Sequence, residues 1–308
     1  MRLLRLALLL VPLPIALRAQ QDFSAVKITV VPVASGVYML QGAGGNIGLS
    51  VGTDDAFLID DQYAPLTPKI REAIATVTTK PVRFLVNTHW HGDHTGGNAN
   101  MASAGSILVA HENVRRRMST EQFIAAFKSR VEPSPAAALP VITFSDEISF
   151  HLNGDTIRAM HVRNAHTDGD AVIAFARANV VHTGDVFFNG TYPFIDLSSG
   201  GSLDGVIAAV AKMLAMTRAD TKIIPGHGAL ATRADLERYH DVLATVRTRL
   251  ARRAARREPL ARVLAAKPLA DFDATWGKGF MTPEQFLTIA YTSLTTGTPK
   301  GVSAPHGH

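Results

Sequence analysis

Four side chains that often bind metal ions are concentrated in six consecutive positions. They are His89, His91, Asp93 and His94, in the segment Asn-Thr-His-Trp-His-Gly-Asp-His. Neutral imidazole and carboxylate groups are ligands that zinc and similar divalent metals prefer. Burying so many polar groups without a partner would be costly. Because the cluster follows the apolar run 82–86 and is flanked by glycines, it predicts a metal-binding loop at a strand end rather than a solvated, histidine-rich turn.

Three further candidates lie later in the chain, each close to a short apolar segment. They are His166 in Asn-Ala-His-Thr-Asp-Gly-Asp, Asp185 in His-Thr-Gly-Asp-Val and His227 in Pro-Gly-His-Gly. Taken alone, each histidine could be a surface residue and the aspartate a turn residue. Loops at strand ends are, however, where α/β folds gather their functional groups. The order of the candidates along the chain is therefore more informative than any one of them.

The whole series resembles the metallo-β-lactamase superfamily of metallohydrolases. It consists of His-x-His-x-Asp-His, a lone histidine, Gly-Asp and Gly-His-Gly, and it extends from about Val30 to Gly228. Asp60, after the apolar segment Ala-Phe-Leu-Ile, resembles the aspartate that supports the ligands of this family without binding metal. The resemblance implies an α/β fold, a four-layer αβ/βα sandwich with the metals at one sheet edge.

The resemblance also divides the ligands between two metal ions. It implies that one ion is held by His89, His91 and His166. It implies that the other ion is held by Asp93, His94 and His227, and that Asp185 bridges the two. We expect two Zn²⁺ ions, although iron or manganese would suit similar ligands. Two metals roughly 3.5 to 4 Å apart lower the pKa of a shared water molecule, which can then attack a carbonyl. We expect Asp93 to be the catalytic carboxylate that orients this nucleophile or passes on its proton.

Other residues near the candidate ligands have two interpretations. Asn189 and Tyr192 could hydrogen-bond to a substrate, although an Asn-Gly turn is an equal explanation for the first. Trp90 could line the mouth of the site or brace the loop. We predict structural roles for His182, on an apolar strand, and for His111. The chain has no cysteine and no Gly-x-Ser-x-Gly motif, so a nucleophilic cysteine is excluded and a serine-hydrolase mechanism is unsupported.

The sequence leaves the substrate open. Asp185 stands where one branch of the β-lactamases has a bridging cysteine, and the complete ligand set is closer to glyoxalase II and the lactonases. Glyoxalase II acts on a glutathione thioester in the cytosol, which does not suit a chain whose amino terminus has the features of a secretory signal. We therefore expect β-lactamase-like hydrolysis of a cyclic amide, with a lactonase, esterase or glyoxalase II-like thioesterase as alternatives. Two other classes of function stay open: an iron-dependent redox enzyme and a non-enzymatic metal-binding protein.

The amino terminus has the features of a secretory signal. A basic start, an apolar stretch at 6–17 and the small residue Ala19 are typical of one. The stretch is shorter than the ~20 residues of a membrane span, so we predict cleavage and a periplasmic or secreted chain without a stable span. Cleavage would remove three arginines and lower the formal net charge from +5 to +2. We expect a small-molecule substrate and no nucleic-acid partner, and leave the oligomeric state open.

The remaining sequence predicts the elements that position these residues. Short strands between 27 and 60 indicate an antiparallel sheet with a glycine-rich hairpin at 41–46, which in the resembled family can overhang the metals. A helix at 68–77 precedes the strand that leads to the metal loop. The arginines and apolar residues of 112–130 predict surface helices. A second set of strands, 148–186, supplies His166 and Asp185.

We divide the chain into three parts. Residues 1–19 are the signal, 20–231 the metallo-β-lactamase-like domain, and 232–308 a helical extension with a flexible tail. Thr232 and Asp235 predict the start of a long amphipathic helix. Six arginines between 247 and 257 occupy its other face. A solvated face is the simplest explanation for them, and contact with anionic lipid or nucleic acid is the alternative.

Overall fold

The computed structural model describes residues 22–296, so the predicted signal and the predicted flexible tail lie outside the described residues. Within this range the chain alternates strands and helices. The strands are β1 (Thr29–Ala34), β2 (Val37–Gln41), β3 (Ile47–Ser50), β4 (Ala56–Ile59), β5 (Val82–Asn87), β6 (Ile107–His111), β7 (Gln122–Ile124), β8 (Ser129–Val131), β9 (Ile142–Phe144), β10 (Glu147–Leu152), β11 (Asp155–His161), β12 (Ala171–Phe175), β13 (Val180–His182), β14 (Lys222–Ile224) and β15 (Ala231–Thr232).

Residues 22–296 also contain nine α-helices. They are α1 (Thr67–Ala75), α2 (Gly92–Thr95), α3 (Asn98–Ser103), α4 (Glu112–Met118), α5 (Leu203–Met216), α6 (Arg233–Ala255), α7 (Leu260–Ala265), α8 (Ala270–Trp276) and α9 (Pro283–Thr296). Among residues 22–296, no helix is both long and apolar enough to cross a membrane.

Two sheets form the centre of the molecule. The first has the order β1-β2-β3-β4-β5-β6-β9, and the second has the order β10-β11-β12-β13-β14-β15. The strands β1 to β4 pair antiparallel, as the sequence predicts, whereas β4, β5, β6 and β9 pair parallel. Parallel strands have both faces covered, which explains why β4 is buried along its whole length.

Alternation along the strands separates three apolar layers. In β4, Phe57 and Ile59 face the second sheet, while Ala56 and Leu58 pack against α1. The outer face of the second sheet packs against α5 and α6. The molecule is therefore the four-layer αβ/βα sandwich that the sequence predicts.

The segment 112–130 differs from its prediction. The helix α4 ends at Met118, and the following residues form the hairpin β7-β8 instead of a second surface helix. Lys128 closes the turn in the left-handed region, at φ 49°. The backbone N–H of Ala125 donates to the Ser198 hydroxyl at 3.2 Å. This contact with a distant loop illustrates how tertiary packing overrides local propensity.

The carboxy-terminal extension begins as predicted. Thr232 and Asp235 form a capping box at the start of α6. Three arginines of the opposite face form ion pairs with neighbouring segments, at N···O distances of 2.6, 2.6 and 2.7 Å: Arg247 with Asp204, Arg249 with Asp271 and Arg253 with Glu258. These arginines link α6 to other parts of the chain, so the run is not simply a solvated face.

Candidate metal centre

The seven candidate ligands converge at one edge of the two sheets. His89 and His91 follow the carboxyl end of β5, and Asp93 and His94 lie in α2 directly after them. The other three follow strands of the second sheet: His166 after β11, Asp185 after β13 and His227 after β14. The backbone N–H of Ala171 donates to the carbonyl of Thr88 at 2.8 Å, which joins the two sheets at this edge.

His89, His91 and His166 form a compact group, the first triad. The Nδ1 atom of His91 lies 3.1 Å from His89 Nε2 and 2.9 Å from His166 Nε2. Zinc–nitrogen bonds of about 2.0–2.1 Å in a tetrahedron place ligand nitrogens roughly 3.3 Å apart. The three nitrogen atoms therefore have the spacing of ligands around one ion.

Asp93, His94 and His227 form the second triad. Asp93 Oδ2 lies 3.3 Å from His227 Nε2 and 3.6 Å from His94 Nε2. These distances also fit a shared ion. The second triad combines nitrogen and oxygen donors, a set that suits zinc, iron or manganese.

Asp185 lies between the two triads and presents one carboxylate oxygen to each. Its Oδ2 is 3.9 Å from His89 Nε2 and 3.6 Å from His166 Nε2. Its Oδ1 is 3.1 Å from His94 Nε2 and 3.3 Å from His227 Nε2. Asp185 Oδ1 and His94 Nε2 are buried and 3.1 Å apart, but they are not aligned as a hydrogen bond, and neither atom has a hydrogen-bond partner among the described residues. Unpaired buried polar atoms require an explanation, and metal ions held between these side chains would supply one.

Asp60 supports this arrangement from behind His94. Its Oδ2 lies 2.7 Å from His94 Nδ1, and its two oxygens accept hydrogen bonds from the Thr88 backbone and hydroxyl, each at 2.7 Å. A carboxylate on the outer nitrogen fixes the orientation of a ligand histidine. The structure thus places Asp60 where the resemblance implies a supporting aspartate.

Asp196 is a comparable residue that sequence reasoning missed. Its Oδ2 lies 3.1 Å from His91 Nε2 and accepts from the Ser199 hydroxyl at 2.5 Å. Its Oδ1 accepts from the Ser199 backbone N–H at 3.2 Å. Burial opposes ionisation of Asp196, but hydrogen bonds with His91 and the serines outweigh burial and lower its pKa. The segment Asp-Leu-Ser-Ser indicates a helix cap, and nothing in it indicates a contact with His91.

The electrostatic character of the two triads differs. Burial lowers the pKa of His89 well below its usual range and that of His166 to about 4, so both offer neutral nitrogens as metal ligands must. Burial also opposes protonation of His94 and His227, but the neighbouring carboxylates, Asp185 first and then Asp93, together outweigh burial and raise the pKa of His94 strongly and that of His227 to about 9. The carboxylates around the second triad thus favour a positive charge there. A bound divalent ion would provide that charge.

Glycines allow two loops to approach these side chains. A Cβ atom on Gly45 would lie 2.1 Å from His94 Cε1, and one on Gly226 would lie 2.2 Å from Asp185 Oδ1. The backbone N–H of Gly45 donates to the Asp93 carbonyl at 3.1 Å. The loop 42–46 therefore packs against the second triad.

The remaining sequence candidates have structural contacts. Trp90 is buried and donates to the Ser199 hydroxyl at 3.2 Å, so it braces the loop and does not line the mouth. His182 is buried, with its Nε2 atom 2.9 Å from the Asn46 carbonyl, and the Nε2 atom of His111 lies 2.9 Å from the Ser145 carbonyl. These two contacts agree with the structural roles predicted from the sequence.

The structure does not support substrate contacts by Asn189 and Tyr192. The amide of Asn189 donates to the Ala229 carbonyl at 3.0 Å, beside the loop of His227. Tyr192 is buried, its ring stacks on Phe286, and its hydroxyl donates to Asp273 at 2.8 Å. A buried tyrosine normally satisfies its hydroxyl within the protein. Both side chains are thus committed to bracing the fold.

Comparison with known proteins agrees with this geometry. The family model described as the metallo-beta-lactamase superfamily matches residues 41–264. The chain belongs to the metallo-β-lactamase superfamily. Members of this superfamily bind metal ions, and the two triads with Asp185 are the candidate ligands in this one.

Three similar proteins illustrate the range of this superfamily. A hydroxyacylglutathione hydrolase of Polaromonas sp. is 26% identical over 176 residues, which span 57% of this chain and 58% of that protein. An atrochrysone carboxyl ACP thioesterase of Aspergillus terreus is 27% identical over 265 residues, 83% of this chain and 69% of that protein. A metallo-beta-lactamase structure from Pontibacter korlensis superposes with a TM-score of 0.58 and 18% identity, over 71% of this chain and 99% of that one. The last likeness concerns the fold alone.

Proposed function

We propose that this chain is a binuclear zinc hydrolase that cleaves a carboxylic thioester. The observation that carries the proposal is the position of Asp185, whose two oxygens face the two triads separately. A carboxylate in this position can bridge two ions. Two divalent ions, when bound, supply a nucleophile from water at neutral pH and stabilise negative charge on the attacked carbonyl oxygen.

The protein groups have distinct roles in this proposal. The first triad, His89, His91 and His166, would hold one ion, and the second triad would hold the other. Asp93 has a side chain that is 25% exposed, so it can be reached by water and substrate. Burial opposes ionisation of Asp93, but His94 and His227 outweigh burial and lower its pKa to about 2. Asp93 is therefore an ionised carboxylate that can accept a hydrogen bond from the attacking water and orient it.

The choice of a thioester follows from the relatives. One is named as a hydrolase of a hydroxyacylglutathione and another as a thioesterase. A cyclic amide is the second candidate, because the amino-terminal sequence predicts export to a compartment where external β-lactams and lactones are met.

Metal analysis combined with a substrate panel tests the proposal. The purified chain is analysed for zinc, iron and manganese, and is assayed with a small thioester, a lactone and a β-lactam. Released thiol can be followed with a thiol reagent, because the protein itself has no cysteine. Near two zinc ions per chain with cleavage of the thioester is the expected result. Cleavage of the β-lactam alone would favour the second candidate, and a single iron without hydrolysis would indicate redox chemistry.

We also propose that the protein is exported, so that its thioester would be one met outside the cytosol and not the cytosolic glutathione thioester. Amino-terminal sequencing of the chain from a periplasmic or culture fraction should give a start at Gln20. A chain that keeps its first residues and remains in the cytosol would contradict export, and would leave the assignment as a hydrolase unchanged.

A further inference from the structure

Two large aromatic side chains are exposed next to each other although they are far apart in the sequence. Phe127 lies in the turn of the hairpin β7-β8, and Phe280 lies in the loop between α8 and α9. They are 38% and 70% exposed, and their ring centroids are 5.4 Å apart in an edge-to-face arrangement. Single exposed apolar residues are ordinary, but adjoining rings from separate segments indicate a binding surface.

The pair is continuous with the metal centre through Phe194. The rings of Phe127 and Phe194 lie 4.8 Å apart. Phe194 in turn stacks on His91, with centroids 5.8 Å apart, and lies 5.5 Å from the His166 ring. A series of aromatic rings therefore leads from the first triad to the protein surface.

Packing holds both exposed rings in place. The hairpin that carries Phe127 is hydrogen-bonded to Ser198, in the loop of Asp196, which contacts His91. The backbone before Phe280 packs closely on Thr191, since a Cβ atom on Gly279 would lie 2.5 Å from Thr191 Cβ. The segment of Phe280 lies beyond the part of the chain that matches the superfamily. The extension thus contributes to the surroundings of the metal centre.

We propose that Phe127 and Phe280 bind an apolar, preferably aromatic, part of the substrate, so that the enzyme selects arylalkyl thioesters over short ones. This inference rests on the proposed function. Two rings are too small an area for a stable protein interface, which buries about 800 Å² on each partner. The rings are separated from His91 and His166 by the single buried ring of Phe194, and this short separation instead suits a small molecule whose carbonyl lies at the metals.

Phe123 provides a matched control. It lies on β7 of the same hairpin and is 51% exposed. Among residues 22–296 it has no aromatic ring contact of the kind that joins Phe127, Phe194 and Phe280. Phe123→Ala therefore removes an exposed ring of the same type from the same hairpin without interrupting the series.

A binding experiment tests the inference independently of activity. The zinc-loaded full chain is titrated calorimetrically with butyrate and with phenylbutyrate. Because burial of a phenyl ring contributes about 1.5 to 3 kcal/mol, we expect phenylbutyrate to bind at least about tenfold more tightly. Phe127→Ala and Phe280→Ala should each remove most of this preference, and Phe123→Ala should retain it. Equal binding of the two acids by the unmodified protein, or an equal loss in Phe123→Ala, would overturn the inference.

A kinetic experiment extends the test to both halves of the substrate. The acyl group and the thiol of a thioester are varied in turn between a short alkyl and a phenylalkyl group. The preference is the ratio of kcat/KM for the phenylalkyl thioester to kcat/KM for the short alkyl thioester. A fall in this ratio of at least about fivefold in Phe280→Ala supports the inference, whether the acyl group or the thiol carries the phenyl ring. Phe280 is largely exposed, so this variant should keep the melting temperature of the unmodified protein even if Phe127→Ala does not.

The two proposals fail in different ways. If no member of the thioester panel is cleaved by the zinc-loaded protein, the proposed function fails, and calorimetry still decides whether the rings bind phenyl groups. If thioesters are cleaved with a phenylalkyl preference that neither phenylalanine affects, the aromatic surface is wrong and the hydrolase stands.

Discussion

The two triads have the same number of side chains but differ in how firmly the protein holds them. His89, His91 and His166 are at most 6% exposed. The outer nitrogen of each lies 2.8 to 3.1 Å from an oxygen atom: the Thr88 hydroxyl, the Asp196 carboxylate and the Phe194 carbonyl, respectively. In the second triad, the side chains of Asp93 and His227 are 25% and 32% exposed. There Asp60 holds His94, and within the described residues no hydrogen bond holds the outer nitrogen of His227.

This difference indicates that the two triads have different roles at the metal centre. Ligands with fixed orientation lose little conformational entropy when they bind metal, so the first triad should bind its ion tightly. The second triad is the part that water and substrate can reach. We expect it to release its ion more easily and to be closer to the chemistry.

The largest effect should come from the residue that the triads share. Asp185→Ala removes the two carboxylate oxygens that face the triads. If these oxygens bridge two ions as proposed, we expect loss of the second metal together with a fall in kcat of at least ~100-fold, since even changes outside the ligand shell cost 10–100-fold. Metal content and hydrolysis are measured on the same sample. Asp185→Asn replaces the alanine variant in this experiment if the alanine variant does not fold. Retention of two metals with normal activity would show that Asp185 does not bridge.

Removal of metal should separate the triads directly. We expect graded chelation to release one ion first, from the second triad, with most of the activity lost at that step. His227→Ala should lack the easily removed ion, and His166→Ala should lose the tightly bound one. Release of both ions in a single step, or an unaffected first step in His227→Ala, would contradict the comparison.

The sequence allowed prediction of the centre better than of its surroundings. The metal loop, Asp185 and His227 follow short apolar strands, and strand ends in such folds meet at one edge, so their convergence could be expected. Asp60 was found because it occupies a position typical of the family. Asp196 was missed because its contact with His91 joins positions 105 residues apart, and no local pattern encodes such a contact.

Tertiary contacts decide the structure of the regions where the local sequence was least informative. The segment 112–130 has helical periodicity, but its second half is a hairpin that bonds to Ser198. The sequence left the roles of Asn189 and Tyr192 open. Both residues follow Asp185 in sequence, and their side chains donate hydrogen bonds to the Ala229 carbonyl and to Asp273, respectively. Closeness in sequence to a candidate ligand therefore did not predict a position in the site. A position just after a strand did predict it.

Asp196→Asn is a smaller test that affects only the first triad. The amide keeps the shape of the side chain but removes the charge beside His91 Nε2, so this histidine should be a weaker and less well oriented ligand. We expect the tightly bound ion to be held about 10-fold less firmly, with the easily removed ion unchanged. Asp204→Asn, which alters an exposed carboxylate paired with Arg247, is the control and should alter neither affinity.

Asn189→Ala is the matching test for the second triad and should have the smallest effect. The variant removes one neutral hydrogen bond to Ala229, two residues beyond His227, and such a bond contributes roughly 0.5–1.5 kcal/mol. We expect the easily removed ion to bind a few-fold more weakly, with no change at the first triad, as measured by competition with a chelator of known affinity. Asn100→Ala, which removes an amide bonded to Ala64 and Thr67, controls for the loss of an amide elsewhere. If Asn189→Ala loosens the tightly bound ion as well, the two triads are mechanically coupled, and the distinction between a rigid and an open half of the centre does not hold.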